Sequence, residues 1–311
     1  MTQPENILLV TGCPRSGTTA VGNLLAAAPR TRYLYEPFNF HTGDRRIKRY
    51  FEIPGTPFFP NDLCDQLIED IRHLKLTLRA GPLPEDRGIM RMLKTIVGGR
   101  TRFSYRVCKW DPFLKTMIWK DPLAAFAART VAMHHHIPVL FTVRDAHAIA
   151  ASFKRLGWSF DLEDINHRLQ ECGLGEPELI SSHQKHLANP AINGAILWRL
   201  IYRTALRAAE STDNIHFAHI DHIVENPLPS YQRLYRLLNL QWTDNVRRQV
   251  EETYAPKQAQ SAVPKSMKAH DRNRDLGQLN RYGEHLLTDE EKAAITEIAG
   301  DLNADLSAAS R

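Results

Sequence analysis

The feature that most constrains the chain is residues 7–19, ILLVTGCPRSGTT. Ile7 to Val10 is a short apolar run that reads as a buried strand. Gly12 and Gly17 follow with four residues between them, and then come Thr18 and Thr19. An Ala- and Leu-rich run to Ala28 reads as a helix that Pro29 ends. Strand, glycine-bounded loop and helix make a phosphate cradle, because backbone N–H groups of the loop and of the helix N-terminus converge on one anion. The spacing matches G-x-x-x-x-G-K-[ST], except that Thr18 replaces the lysine and the loop's cation comes earlier, at Arg15. A nucleoside triphosphatase uses that lysine and a Mg²⁺-bound hydroxyl on the β- and γ-phosphates. This loop therefore suits a group carrying less charge. On this stretch alone, a degenerate kinase loop and a chance glycine turn both remain open.

Three further segments place polar residues at strand ends, where open parallel sheets bind ligands. RYLYE, ended by Pro37, puts Glu36 after a short strand. TMIWKDP puts Lys120 at a strand end, with Pro122 suited to open a helix through Met133. Ile137 to Val143 is the clearest strand in the chain, followed by Arg144. Asp145 is placed to cap a helix that Gly157 ends, with Ser152 two turns in. Ordinary strand-end charges would look the same one at a time.

Elsewhere the pattern is coarser. Residues 44–60 are basic and irregular, either an acceptor-binding lid or a solvated loop. A helix is expected over 61–80, with Asn61 as N-cap and Gly81 as stop, then a turn at 81–84 and a short helix at 89–97. FSYRVCKW, from Phe103, alternates like a strand. His134, His135 and His136 point in different directions on any regular element, which argues against a shared metal. Residues 161–211 read as a helical insertion, with Trp198 and Tyr202 as core residues, and IHFAHI as a further strand ending at Ile220. Residues 255–287 are polar and irregular, a lid in expectation, and Thr288 with Glu291 forms a capping box. The tail from Asp305 is expected to fray.

Composition sets outer bounds. No run of eighteen apolar residues occurs, so stable membrane insertion is not expected. MTQPEN lacks the basic and apolar regions of a signal peptide, and Cys13, Cys64, Cys108 and Cys172 are scattered without metal-like spacing. Both point to a cytoplasmic protein with reduced thiols. The net charge of +5 fits an anionic ligand but is too small to imply nucleic acid.

P-R-S-G-T-T resembles the 5′-phosphosulfate loop of sulfotransferases, enzymes that use 3′-phosphoadenosine 5′-phosphosulfate (PAPS). E-P after a strand resembles the segment whose glutamate is their general base. K-D-P resembles the segment of tyrosylprotein sulfotransferases whose lysine reaches the sulfuryl group. Strand, R-D and a helical serine resemble their 3′-phosphate grip. IDHIVENP resembles their Y-E-D-L-V-x-x-P segment, with Ile220 in place of tyrosine and Asp221 in place of glutamate.

The resemblance implies a single domain over 1–311 with a P-loop-like α/β fold, a mostly parallel central sheet with helices on both faces, as alternating strands and helices also require. It implies PAPS as donor, 3′-phosphoadenosine 5′-phosphate (PAP) as product and no required metal. Glu36, Arg15 and Lys120 would be catalytic. Cys13, Pro14, Arg15, Ser16, Gly17, Thr18, Thr19, Arg144 and Ser152 would hold the nucleotide. The acceptor hydroxyl is expected on a carbohydrate or glycolipid. The alternatives are tyrosine or a small phenol or alcohol as acceptor, a P-loop kinase-like phosphotransferase, and a non-catalytic anion-binding module.

Overall fold

A computed structural model describes residues 3–79, 99–255 and 285–310. The apolar run at the start forms β1 (Asn6–Thr11), and the glycine-bounded loop leads into α1 (Thr18–Leu25). The remaining strands are β2 (Thr31–Tyr35), β3 (Thr116–Lys120), β4 (Val139–Val143) and β5 (Ile215–His219). They form one five-stranded sheet in the order β2-β3-β1-β4-β5, with every pairing parallel.

Parallel strands are covered on both faces, which is why these segments are nearly continuous in apolar residues. Alternation along each strand divides them between two cores. Ile7, Leu9, Met117, Trp119, Val139, Phe141 and Phe217 face one core, and Leu8, Val10, Ile118, Leu140 and Ala218 the other. The first core is closed by α2 (Asn61–Arg72), α3 (Arg100–Trp110), α4 (Ala128–Met133), α5 (Ala146–Leu156), α6 (Leu162–Glu171) and α8 (Pro190–Ala209). A short helix, α7 (Pro177–Ser182), precedes α8. The second core is closed by α1, α9 (Ile220–Glu225), α10 (Pro227–Leu237) and α11 (Asp244–Tyr254). This is the expected three-layer α/β arrangement. The chain leaves β1 toward β2 and leaves β4 toward β5, so the connections part between β1 and β4, the crevice where such sheets take ligands.

Several elements differ from expectation. FSYRVCKW lies within α3, not in a strand. Its buried side is Thr101, Tyr105 and Cys108, a helical spacing, while Phe103 and Val107 are apolar but face solvent and so imitate the alternation of a strand. Helix α2 stops at Arg72 with Pro60, not Asn61, in the N-cap position. Leu74 then turns left-handed (φ 51°), and the Lys75 N–H donates back to Asp70 O at 2.8 Å, a turn that closes the helix well before Gly81. Pro122 opens a 3-10 turn (Pro122–Ala127) before α4. The segments at 81–84 and 89–97, and the expected lid apart from Ala255 and residues 285–287, lie outside the described residues.

The basic segment 44–60 is fastened. Arg46 pairs with Asp44 and Asp70, Arg49 with Asp164, and Arg168 donates to the carbonyl of Phe51. His135 lies between Asp65 Oδ1 (2.8 Å) and Glu69 Oε1 (3.0 Å), while His134 and His136 are exposed. Among the described residues no group of His, Cys, Asp and Glu is arranged to hold a metal ion, and no helix is long and apolar enough to cross a membrane.

The capping box opens α12 (Asp289–Ala299) as expected. The tail does not fray. It forms α13 (Leu302–Ala309), in contact with α8 and β5, with Leu306 wholly buried. Leu306→Ala should therefore lower unfolding free energy by about 2–5 kcal/mol in urea titration, against a few tenths for a loose tail.

Candidate active site

The loop after β1 is compressed from two sides. Gly12 has φ 139°, and a Cβ there would sit 2.5 Å from the Thr142 carbonyl oxygen. Gly17 has φ 93°, and a Cβ there would sit 2.6 Å from Ile220 Cδ1. Both positions require glycine for backbone angle and for space. Ile220, expected where some sulfotransferases place a tyrosine, thus packs beneath the loop.

The loop is also tied down from below. Ser16 Oγ bonds Thr142 Oγ1 at 2.8 Å, and the Ser16 N–H donates to Cys13 O at 3.0 Å. The Tyr202 hydroxyl donates to Thr142 O at 2.6 Å and accepts the Cys13 N–H at 3.2 Å. Cys13 and Pro14 are buried, and burial pushes the Cys13 thiol up. The Cys13 amide and the Ser16 amide and hydroxyl are thus bonded within the protein, which shapes the loop. The outward donors come at its end. The first bond of the α1 ladder runs from the Val21 N–H to Gly17 O at 3.1 Å, so the Thr18 and Thr19 amides precede the ladder. No acidic residue lies in that first turn. A helix N-terminus of this kind favours an anion.

On the β4 side three predicted residues meet. Arg15, at φ 78°, donates from Nε to Ser152 Oγ at 3.1 Å, and Arg144 Nη1 lies 3.4 Å from Arg15 O. Trp198 Nε1 donates to Arg144 O at 2.8 Å and fixes the strand end. Asp145 caps α5 through the amides of His147 and Ala148.

On the other side of β1, the ends of β2 and β3 carry the second group. Glu36, at φ 45°, accepts from Lys120 Nζ at 2.5 Å through Oε1 and from Asn39 Nδ2 at 2.9 Å through Oε2. Its own N–H donates to Lys120 O at 2.9 Å. Lys120 is 2% exposed, with Nζ 4.4 Å from the centre of the Tyr35 ring. Burial pushes the Glu36 carboxyl up, but the Lys120 charge and the bonds from Lys120, Asn39 and Tyr35 outweigh it and hold the group below its usual range. Asp121 is fully buried and accepts from the amides of Phe38 (2.6 Å) and Leu123 (3.1 Å). It pins the turn that carries Glu36 to the end of β3. Burial, and then the Glu36 charge, push it up to about 7.

A profile of the sulfotransferase family matches residues 8–244, most of the chain. The chain belongs to that family. No curated protein matches it. Solved structures similar to this sulfotransferase include STF9 from Mycobacterium avium, at 16% identity over 98% of this chain and 77% of that one, with a TM-score of 0.44. The sulfotransferase domain of the Synechococcus PCC 7002 olefin synthase gives 14% identity over 97% and 96%, with a TM-score of 0.46. Mouse SULT7A1 complexed with PAP gives 11% over 98% and 88%, with a TM-score of 0.43. The family transfers a sulfuryl group from PAPS, and the donor set here fits such a nucleotide: a helix N-terminus without acids, entered through a glycine-bounded loop, with buried arginine beside it.

The structure pairs Glu36 with Lys120 and brings Arg15, Arg144 and Ser152 together beside the loop. The motifs did not point to Thr142 and Tyr202, which support the loop from far along the sequence, or to Trp198 as the donor to Arg144 O. Asn39 was within reach, three residues after Glu36. Gly17→Ala should lower stability by about 1–3 kcal/mol in thermal or urea unfolding. Gly17→Ala/Ile220→Val removes the Cδ1 contact and should recover part of that loss, leaving the share due to the positive φ.

Proposed function

We propose that this sulfotransferase moves a sulfuryl group from PAPS to a hydroxyl of a carbohydrate or glycolipid, with Glu36 as general base. The Glu36–Lys120 pair, at the carboxyl edge beside the phosphate loop, carries the reading. PAPS supplies an activated sulfur bonded through a bridging oxygen to the 5′-phosphate. The Gly17, Thr18 and Thr19 amides and the two threonine hydroxyls hold that phosphate. Arg144 and Ser152 take the 3′-phosphate on the β4 side, where a guanidinium fork suits a dianion. β2 and β4 lie three strand spacings apart, roughly 14 Å, so the two groups flank the loop with room for one nucleotide laid across the edge.

Glu36 accepts the hydroxyl proton as the acceptor oxygen bonds to sulfur. The bond from sulfur to the bridging oxygen breaks, and its electron pair stays on the phosphate. Lys120 and Arg15 stabilise that developing charge, and one well-aimed donor contributes ~3 kcal/mol. As Lys120 turns toward the bridging oxygen, Glu36 loses its nearest cation and becomes more basic when it must take a proton. The neighbouring rings of Phe40, His41 and Tyr50, whose centres are 4.9–5.9 Å apart, supply apolar faces with polar edges suited to a sugar.

Calorimetric titration should give micromolar PAP binding, with Mg²⁺-ATP and AMP much weaker, and Arg144→Ala should abolish the preference for the 3′-phosphate. Tighter Mg²⁺-ATP binding would replace this reading with a kinase. Glu36→Gln should reduce kcat about 10²–10⁴-fold with PAP affinity unchanged. In Lys120→Ala, burial acts on Glu36 without its counter-charge, so the acidic limb of the residual kcat/KM profile should move to higher pH.

A further inference from the structure

Helix α3 is apolar on two opposite sides. Thr101, Tyr105 and Cys108 face the core, and Phe103, Val107 and Trp110 form a second stripe at i, i+4 and i+7 that faces solvent. Phe103 is 56% exposed, Trp110 71%, and Phe113 just beyond the helix 66%. Arg100 flanks this stripe on one side and Arg106, then Arg102, on the other, while Lys109 Nζ turns back to the Tyr105 hydroxyl at 3.3 Å. Arg30 lies alongside, its Nε donating to Phe113 O at 3.1 Å. The one acid between residues 99 and 115 is Asp111, and Arg32 neutralises it at 2.6 Å. Large aromatic side chains seldom stand in water as a contiguous row.

We propose that this face of α3 is a docking surface for an anionic lipid bilayer. Aromatic residues in a row with flanking arginines match the layering of a bilayer surface, where rings enter the headgroup region and cations meet lipid phosphates. Charge complementarity selects this occupant. A second copy of the chain, packed through the same face about a two-fold axis, would set arginines against arginines. Docking is peripheral, by one exposed helix face, and requires no spanning segment.

The surface lies close to the candidate base. The Tyr35 N–H donates to Ser104 Oγ at 2.9 Å, and Thr42 Oγ1 bonds Thr101 Oγ1 at 2.9 Å, on either side of Glu36 in the chain. The bilayer face is thus separated from the turn carrying Glu36 by about one helix diameter, ~10 Å. A glycolipid acceptor fits this placement, although docking itself does not depend on the proposed chemistry.

Sedimentation with vesicles tests it. The full chain should bind phosphatidylcholine vesicles containing phosphatidylglycerol, bind those of phosphatidylcholine alone far less, and release as salt rises. Phe103→Ser/Trp110→Ser, at exposed positions, should weaken binding at least about tenfold, and so should Arg102→Glu/Arg106→Glu. PAP titration of the same variants should be unchanged. Brominated phosphatidylglycerol should quench tryptophan emission in the wild type and not in Trp110→Phe. Undiminished binding by both double variants, or no vesicle binding, overturns the proposal. So does dimerisation that Phe103→Ser/Trp110→Ser abolishes while vesicles are ignored, or an oligonucleotide that displaces the vesicles. Vesicle binding needs no nucleotide, so failure of the sulfuryl-transfer reading leaves this result intact, and the converse also holds.

Discussion

The carbonyl oxygen of Thr142 is the point on which the carboxyl edge of the sheet depends. It accepts the Tyr202 hydroxyl, and it stands where a side chain on Gly12 would have to go. A loop that turns its amides outward toward an anion must satisfy its remaining polar groups inward, because unpaired buried groups cost about 1–3 kcal/mol each. Tyr202 meets that need for Cys13 and Thr142 together, and the threonine hydroxyl meets it for Ser16. Rigid support below leaves the Thr18 and Thr19 amides in place before any ligand arrives.

The same edge holds buried charge in an uneven balance. Glu36 and Lys120 neutralise one another, while Asp121, one residue along, is buried among amide donors and feels the Glu36 charge. Phe38, Leu123 and Trp119 all donate to the Asp121 carboxylate. Its role is geometric: it holds the turn after β2 against the turn after β3, so Glu36 keeps a left-handed backbone that its own residue type does not favour.

Much of this was legible in the sequence. Strands buried on both faces must be apolar throughout, so β1, β3, β4 and β5 stand out, and loop glycines, strand-end charges and the Asp145 and Thr288 caps act over a few residues and leave local marks. What escaped is long-range or two-faced. Nothing near Tyr202 reveals that its hydroxyl sits beneath Cys13, 189 residues away. Helix α3 escaped because its solvent side is apolar, so the rule that outward residues are polar gave the wrong period. The tail escaped because Leu302 and Leu306 find their partners on α8 and β5, not nearby in the chain.

The order of strands also divides responsibilities. Under the proposed reading, everything that grips the donor's 3′-phosphate hangs from β4, α5 and α8, while what meets the acceptor hangs from β2, the segment after it and α3, with β1 between them. Drift in the acceptor half can retune which hydroxyl is served without disturbing the nucleotide grip, so the architecture lets a lineage change customers while keeping one currency of activated sulfate.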